Sequence, residues 1–489
     1  MFARLDDELA VRAEDTLSLA QRVLVKLGDG EIAVNDRSLD AARKRKDGAP
    51  PGGSERRFPA GPGPACTKVQ LRRESMSDLL TVRPPGEAFA ELAARLRPIE
   101  RFESLETLDA LGRIVAATVV AEETLPAFTR ATMDGYAVRA ADTFGASDAS
   151  PAYLRLAGEV TMGNVATCSV EAGTAVRVHT GAMLPPGADA VVILEETNLR
   201  GEELEVLRSA ACGAETLAVG EDVTAGDAVA LAGHELRAQD LGALHALGCV
   251  RVDVRARPRL AILSTGDEVV PPAERPPLGK VRDVNAATIG ATIARAGGLP
   301  VFAGIVADDE EALVARGREA LASCDGLVLS AGSSVSARDL TARTIDRLGA
   351  PGALVHGIAL RPGKPTILGL CGEKPVIGLP GNPVSALIVA WRLVRPLVRL
   401  LGGAPVAPDG LGDERALEAR LSASVPSRPG REDYVPAKLS RAPDGTLCAT
   451  PVFGKSNLIF TLVRADGWIA LPFDRAGAAA GSLVRVIVP

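Results

Sequence analysis

The chain has 489 residues, of which 47% are hydrophobic and 3% aromatic, and its 55 Lys and Arg nearly balance 61 Asp and Glu. This length predicts several domains with packed cores. The balanced charge and the scarcity of aromatic side chains exclude nucleic acid and an anionic membrane as expected partners. Seven cysteines without CxxC spacing, and no apolar run long enough to span a membrane, indicate a cytoplasmic protein with reduced thiols.

The first part of the chain, residues 1–77, differs in composition from the rest. Four consecutive basic residues at 43–46 are followed by a tract rich in Pro and Gly, and a second methionine, Met76, comes after it. Such a composition cannot bury enough apolar surface to order itself. We expect residues 1–77 to be a disordered extension or the product of a start codon placed too early.

Helical and strand-like patterns then divide the chain into two regions. Apolar residues at helical spacing predict helices over 85–96, 104–115 and 238–247, and these form a linking domain I, residues 78–125 plus 218–256. Between them, residues 126–217 show short alternating runs bounded by Gly and Pro. Strands are predicted at 174–178 and 190–194, so this segment is a β-rich domain II.

The next segment, residues 257–404, alternates between strands and helices and is predicted to be domain III. This rhythm is typical of a parallel sheet covered by helices on both faces. The predicted strands are 260–263, 299–306 and 326–329, with two more to follow, and the predicted helices are 286–296, 310–322 and 386–401. Residues 405–489 return to short β-like runs, such as 483–488, and form a small β domain IV. The fold class is therefore α/β plus β.

Polar loops follow three of the domain III strands. They are residues 264–268, 330–336 and 380–385. Because ligands of open parallel sheets bind beyond the carboxyl ends of the strands, these loops are the predicted site. In the third loop, Pro380 and Pro383 fix φ around Gly381 and Asn382, and the following helix would offer free backbone N–H groups to an anion. The alternative is a tight strand-to-helix connection without a ligand.

The residue types of these loops suit a phosphorylated ligand. Small residues at 330–336 let backbone amides approach an anion, and Arg361 and Lys364 add positive charge. Carboxylates at other strand ends, Glu268, Asp308 and Asp339, could hold Mg²⁺. Asp339 could instead cap a helix over 340–348, and residues 267–268 could be a solvated turn. The lone His179 is expected to be structural.

Five motifs in order carry a family resemblance. They read Met-Asp-Gly-Tyr-Ala at 133–137, Thr-Gly-Ala at 180–182, Ser-Thr-Gly-Asp-Glu at 264–268, Pro-Gly-Lys-Pro at 362–365 and Leu-Pro-Gly-Asn-Pro-Val-Ser at 379–385. From about residue 78 onward the chain resembles the molybdopterin molybdenumtransferases, the MoeA and gephyrin E-domain family.

This resemblance implies an enzyme of molybdenum cofactor biosynthesis that uses Mg²⁺ to insert molybdate into adenylylated molybdopterin, with release of AMP. It also implies an elongated homodimer of multidomain subunits, each with a MogA-like three-layer α/β domain and a β-barrel-like C-terminal domain. Transient partners would be a molybdopterin adenylyltransferase and apo-molybdoenzymes. A non-catalytic molybdopterin-binding or scaffold paralogue is the alternative.

The resemblance also carries over a set of site residues. The catalytic set comprises Asp134, Thr180, Glu268, Asp308, Asp339, Arg361 and Lys364, with the metal held by Glu268, Asp308 and Asp339. Asp134 is expected to complete the site from the partner subunit. The cofactor-binding set comprises Ser330, Gly332, Ser334, Pro380, Gly381, Asn382, Pro383, Ser385, Asp222 and Arg431.

Several positions depart from the family pattern. The loop after the third domain III strand usually reads Ser-Gly-Gly-Val-Ser-Val-Gly, whereas this chain has Ala331, Ser333 and Ser336 at its second, fourth and seventh places. Each added Cβ restricts a backbone that glycine would leave free. Gly357 stands where some members have lysine, and Arg361 itself is often lysine. These departures favour the scaffold alternative.

Overall fold

The computed structural model describes residues 82–332, 335–412 and 415–488. The predicted extension, residues 1–77, lies outside the described residues, and so does Ser334. Within the described ranges, no helix has the length and the apolar character needed to cross a membrane. Three six-stranded sheets organise this part of the chain.

The linking region is built from short strands and one helix on either side of the β-rich region. Its elements are β1 (Phe102–Glu106), β2 (Val119–Val120), β11 (Ala228–Ala230), α2 (Ala238–Ala246) and β12 (Arg251–Arg255). Strand β1 pairs antiparallel with β12, and β2 with β11. A small core that includes Val115, Leu244 and Val254 holds these elements together.

The prediction of a helix over residues 104–115 is wrong. Strand β1 and a 3₁₀ turn, Thr107–Ala110, occupy this stretch. Two apolar residues of the expected helical face, Leu108 and Leu111, are 71% and 59% exposed. Local periodicity failed here because the backbone of β1 is paired along its whole length with β12, a strand that lies far away in sequence.

The β-rich region forms one six-stranded sheet, and its two predicted strands are confirmed. Its elements are β3 (Arg130–Ala131), β4 (Gly135–Val138), β5 (Ala152–Val160), β6 (Thr174–Val178), β7 (Ala190–Ile193), β8 (Thr197–Arg200), β9 (Glu203–Val206) and β10 (Thr216–Leu217). The order in the sheet is β7-β4-β6-β5-β9-β8, while β3 pairs with β10. Alternate residues of β6 enter separate cores on the two faces, Val176 on one and Ala175 on the other.

The α/β region contains the predicted alternation of strands and helices. Its elements are β13 (Arg259–Thr265), β14 (Val269–Val270), β15 (Val281–Arg282), α3 (Asn285–Arg295), β16 (Leu299–Val306), α4 (Glu310–Ser323), β17 (Gly326–Ala331), α5 (Val335–Leu348), β18 (Pro351–His356), β19 (Leu360–Arg361), β20 (Ile367–Cys371), β21 (Lys374–Pro380), α6 (Pro383–Val389), a π-helix (Ala390–Val394) and α7 (Arg395–Leu401).

The sheet of this region is mixed rather than wholly parallel, which corrects the prediction. Its order is β16-β13-β17-β21-β20-β18, and the first four strands are parallel. Strand β20 runs antiparallel because a two-residue turn joins it directly to β21, with Cys371 paired to Lys374. Both faces are covered as predicted, since Ile262 faces one core and the adjacent Ala261 faces the other.

Helix α1 (Pro85–Ala93) precedes the linking region in sequence but packs on the α/β region. Its buried residues Phe89 and Leu92 belong to the same core as Ile262 and Ile377. The remaining described residues form a C-terminal barrel. Its elements are β22 (Ala416–Leu421), β23 (Val425–Pro426), β24 (Glu432–Arg441), β25 (Leu447–Pro451), α8 (Phe460–Val463), β26 (Gly467–Leu471), β27 (Gly477–Ala478) and β28 (Leu483–Ile487).

The barrel closes because each of five strands pairs with two others. The ring runs β24-β25-β22-β28-β26 and returns to β24. Strand β19 of the α/β region adds to the outside of this ring by pairing in parallel with β24. The backbone therefore joins the α/β region to the barrel at Leu360 and Arg361.

Candidate active site at the strand ends

Three neighbouring parallel strands end side by side and bring the predicted loops together. Ser264 of β13 is level with Ser330 of β17, and Ala331 of β17 is level with Pro380 of β21. Beyond these ends lies a pocket of about 600 Å³, which we call the strand-end pocket. Its walls include the predicted residues Glu268, Ser330, Gly332, Gly381, Asn382 and Pro383.

The first turn of helix α3 ties the strand ends together. The Nδ2 of Asn285 donates hydrogen bonds to Ser330 Oγ and to the carbonyl oxygen of Gly381, both at 2.9 Å. Ser264 Oγ donates to Asp283 Oδ2 at 2.6 Å, and the backbone N–H of Ala286 donates to Asp283 Oδ1 at 3.0 Å. Because these bonds are internal, the loops are held in place before any ligand arrives.

Asp283 and Asn285 line the pocket, and the sequence analysis missed both. Asn285 is only 7% exposed, and its Oδ1 has no hydrogen-bond donor among the described residues. A buried acceptor without a partner indicates a position for a group that the protein itself does not supply. The available signal was the placement of two small polar side chains at the start of a helix that follows a strand, where such residues cap or contact ligands.

Gly381 is required by a close approach between two loops. A Cβ atom at this position would lie 2.6 Å from the carbonyl oxygen of Ala331. The helix that follows, α6, does not offer all of its first N–H groups to an anion as predicted. The N–H of Val384 donates instead to the carbonyl oxygen of Ser456 in the barrel, at 3.0 Å. Ser385 is buried and lies outside the walls of the strand-end pocket.

The three predicted metal carboxylates do not form a cage. Glu268 lines the strand-end pocket, whereas Asp308 accepts a hydrogen bond from Thr265 Oγ1 at 2.7 Å. Asp339 is exposed and lies inside helix α5, which begins at Val335, so it does not cap a helix that starts at residue 340. Within the described ranges, no group of three or more His, Cys, Asp and Glu side chains could hold a metal ion.

Positive charge gathers in a second pocket of about 660 Å³ between the α/β region and the barrel, which we call the joint pocket. Arg361 and Lys455 line it, together with Asp433. Asp433 is 1% exposed and forms ion pairs with Arg361 at 3.3 Å and with Arg431 at 2.7 Å. The buried carboxylate thus contacts two guanidinium groups and favours conformations of both arginines that keep these contacts.

The two pockets share Asn382 and Asn457 as wall residues and therefore adjoin, and we call them together the cleft. Lys280 and Arg282 add positive charge to the strand-end pocket. They were missed, as Lys455 was, because no recognisable motif contains them. Lys364, a predicted catalytic residue, is exposed and lines neither pocket. Pro380 ends strand β21 beside Ala331.

Asp134 and Thr180 form a separate pair in the β-rich region. The backbone N–H of Thr180 donates to Asp134 Oδ1 at 2.7 Å, and its hydroxyl donates to the same oxygen at 2.9 Å. These two bonds lower the pKa of Asp134 below its ordinary value, and the bond from the backbone N–H has the larger effect. Neither residue lines the strand-end pocket or the joint pocket.

Two further predicted positions lie away from the cleft. Asp222 is exposed in a turn where its N–H donates to the carbonyl oxygen of Leu125 at 3.1 Å. His179 contacts Glu159 through Nε2 at 2.8 Å, which agrees with the structural role expected for it.

The loop substitutions produce no backbone strain at two of the three positions. Ala331 is the last residue of strand β17, and Ser336 lies within helix α5, so both have backbone angles that any residue adopts. Ser333 lies outside the described residues. Gly357 has φ of 99°, a left-handed conformation that disfavours the lysine found in some relatives.

A mixed α/β sheet with a ligand-sized pocket at its strand ends, joined to a small barrel, defines a class of multidomain ligand-binding proteins. Family models identify that class further. They match the MoeA N-terminal region (domain I and II) at residues 83–248, the "Probable molybdopterin binding domain" at 261–400 and the MoeA C-terminal region (domain IV) at 418–488.

Individual relatives agree with these models. The chain is 31% identical over 410 residues to molybdopterin molybdenumtransferase 2 of Mycobacterium tuberculosis. The matched residues cover 83% of this chain and 98% of the relative. It is 31% identical over 388 residues to the molybdopterin molybdenumtransferase of Bacillus subtilis, with 78% and 88% coverage. The crystal structure of the molybdopterin biosynthesis MoeA protein from Pyrococcus horikoshii OT3 matches with a TM-score of 0.72 and 30% identity, over 83% of this chain and 100% of that one.

The chain therefore belongs to the MoeA family, the molybdopterin molybdenumtransferases, which are enzymes of molybdenum cofactor biosynthesis. The resemblance noted in the sequence is confirmed.

Proposed function

We propose that this chain inserts molybdate into adenylylated molybdopterin and releases AMP and molybdenum cofactor. The observation that carries the proposal is the pair of adjoining pockets, of about 600 and 660 Å³, at the strand ends and beside the barrel. Both have basic side chains in their walls, Lys280 and Arg282 in the first and Arg361 and Lys455 in the second. A substrate that combines a pterin, phosphates and an accompanying oxyanion needs room of this size and positive charge along its length.

The joint pocket is the proposed place for the oxyanion. Arg361 presents a fork of N–H donors, and Asp433 holds this fork and that of Arg431 in place. Lys455 adds a second positive charge on the pocket wall. Donors that are already oriented lose little entropy when the oxyanion binds, which favours binding by electrostatic attraction.

The strand-end pocket is the proposed place for the pterin and its phosphates. A pterin carries N–H donors, and the unpartnered Oδ1 of Asn285 is an acceptor in the wall of this pocket. Gly332 and Gly381 allow the backbone to approach phosphate oxygens closely. Lys280 and Arg282 would offset part of the phosphate charge.

Magnesium fits this cleft as a companion of the substrate rather than as a permanently caged ion. Mg²⁺ commonly takes one or two carboxylates together with substrate phosphates, and Glu268 in the wall of the strand-end pocket would supply one. When bound, the ion would offset negative charge on the phosphates as AMP departs. Asp339 is proposed to contribute less than Glu268 to binding the ion, because it is exposed within α5.

The Asp134–Thr180 pair is proposed to act in a homodimer, from the β-rich region of the partner subunit. Its exposure and its absence from both pocket walls within one chain support this assignment. We also propose a cytoplasmic location, with a molybdopterin adenylyltransferase as donor of the substrate and apo-molybdoenzymes as acceptors of the product.

The decisive experiment supplies purified protein with adenylylated molybdopterin, molybdate and Mg²⁺. AMP release is measured by chromatography, and reconstitution of an apo-molybdoenzyme is measured in parallel. We expect AMP release that requires both molybdate and Mg²⁺. Tight binding of the pterin without AMP release, under conditions in which a relative turns over, would contradict the catalytic function and favour a non-catalytic binding or scaffold protein.

A further inference from the structure

A buried arginine outside the cleft anchors the strand that carries Asp433. Arg392 is 1% exposed and lies in the π-helix Ala390–Val394. A π-turn holds one more residue than an α-turn and is often found at functional positions. Here the π-helix lies between α6 and α7, and Arg392 within it is directed into the protein.

All three guanidinium nitrogens of Arg392 are hydrogen-bonded. Its Nε donates to Glu432 Oε2 at 3.1 Å and its Nη2 to Glu432 Oε1 at 3.3 Å, which makes a two-bond pair. Its Nη1 donates to the carbonyl oxygen of Asp409 at 2.8 Å. The Tyr434 hydroxyl also donates to Glu432 Oε2, at 3.1 Å. Arg392 therefore fixes Glu432 in one orientation.

Glu432 and Asp433 are adjacent residues at the start of strand β24, where side chains alternate between the two faces. Glu432 accordingly points to Arg392, while Asp433 points to Arg361 and Arg431. The same two residues pair with β19, Leu360 with Glu432 and Arg361 with Asp433. Any rotation or shift of β24 at this point would move the carboxylate that holds both arginines.

We propose that Arg392 is a positioning residue for the oxyanion site, acting through Glu432 on Asp433 and thereby on Arg361 and Arg431. The inference rests on the proposed function of the joint pocket. Arg392 does not line that pocket, so its effect is on the geometry of the binding arginines and not on contact with the anion.

If Arg392 positions the oxyanion site, its replacement has a different effect than if it only stabilises the fold. Replacement of both members of a buried ion pair by neutral groups of similar size is often tolerated, because the desolvation of two charges is avoided. Replacement of one member leaves the other buried and unpaired, which destabilises the fold. The double variant Arg392→Met with Glu432→Gln therefore separates the two roles, and Gln still accepts the hydrogen bond from Tyr434.

The test measures tungstate binding by calorimetry, together with thermal unfolding, for the wild type and the double variant. We expect the double variant to remain folded, with a melting temperature close to that of the wild type, and to bind tungstate about tenfold or more weakly. AMP release at saturating molybdate should fall less than the apparent affinity for molybdate. Arg392→Lys, which keeps the charge but loses the two-bond geometry, should be intermediate.

Arg395→Met is the matched control. Arg395 follows the same π-helix and lies over the Trp391 ring, 5.3 Å from its centre, whereas Glu432 pairs with Arg392. We expect its tungstate affinity to equal that of the wild type. A folded double variant with wild-type affinity would overturn the positioning role alone. Absence of tungstate binding by the wild type would overturn the proposed oxyanion pocket and this inference with it.

Discussion

The strand-end pocket and the Asp134–Thr180 pair are stabilised by different kinds of contact. The pocket is assembled from three loops and the start of α3, and buried side-chain bonds such as Asn285 to Ser330 hold it. The pair is local, exposed, and held by one side chain that accepts two bonds from one residue. The difference separates a surface assembled from distant segments of the chain from a short local contact that lies outside both pockets.

We expect the largest loss of activity when Glu268, the carboxylate in the wall of the strand-end pocket, is neutralised. Glu268→Gln keeps the shape of the side chain but removes the charge, and we expect AMP release to fall by about 100-fold or more, in line with loss of a general catalytic or metal-binding carboxylate. Glu274→Gln serves as the control, because Glu274 is exposed in the next loop, after β14, and lines neither pocket. Equal activity of Glu268→Gln and wild type would contradict the role of Glu268.

A mixed dimer tests whether the two elements meet between subunits. Chains with Asp134→Ala and chains with Glu268→Ala are co-expressed with different tags and purified as heterodimers. Each variant alone should be inactive, while the heterodimer, with one intact composite site, should recover about half of the wild-type AMP release. A purified heterodimer without activity would show that both residues act within one chain.

Gly381→Ala tests the close approach of loops in the pocket. The added Cβ would lie 2.6 Å from the Ala331 carbonyl oxygen, so the loops must move apart. We expect a loss of about 1–3 kcal/mol in unfolding free energy, measured in denaturant, and weaker pterin binding. Gly242→Ala, in helix α2 with open space around the new Cβ, should be neutral or slightly stabilising.

Thr180→Val is expected to have the smallest effect, and it concerns pH. Loss of the hydroxyl bond should raise the pKa of Asp134 toward its ordinary value, although the backbone bond from residue 180 remains. Because the pKa of Asp134 is lowered, its carboxylate stays charged and keeps its bonds from Thr180 until the pH falls through that lowered value. Carboxyl NMR titration measures the change, and Thr180→Ser should leave it unaltered. An unchanged pKa in Thr180→Val would contradict this account of the pair.

Sequence patterns predicted the structure of the α/β region better than that of the linking region. In the α/β region the strand 299–306 and the helix starting at residue 310 were predicted correctly, because the apolar run of the strand gives way to acidic residues where Asp309 caps the helix. The polar loops at 264–268 and 380–385 were also placed at one sheet edge, because parallel strands carry their carboxyl ends to the same side. In the linking region, the apolar spacing at 104–115 wrongly predicted a helix.

The sequence by itself determined the family, the alternation of strands and helices, and the loops that form the site, because these depend on local pattern and on motifs. Only the tertiary structure decided which polar groups meet. The bonds of Asn285 to Ser330 and Gly381, the contact of Val384 with Ser456, and the ion pair of Asp433 with Arg361 each join segments distant in sequence. They follow from the pairing of β24 with β19 and from the position of the start of α3 beside the ends of β17 and β21, which no local pattern records.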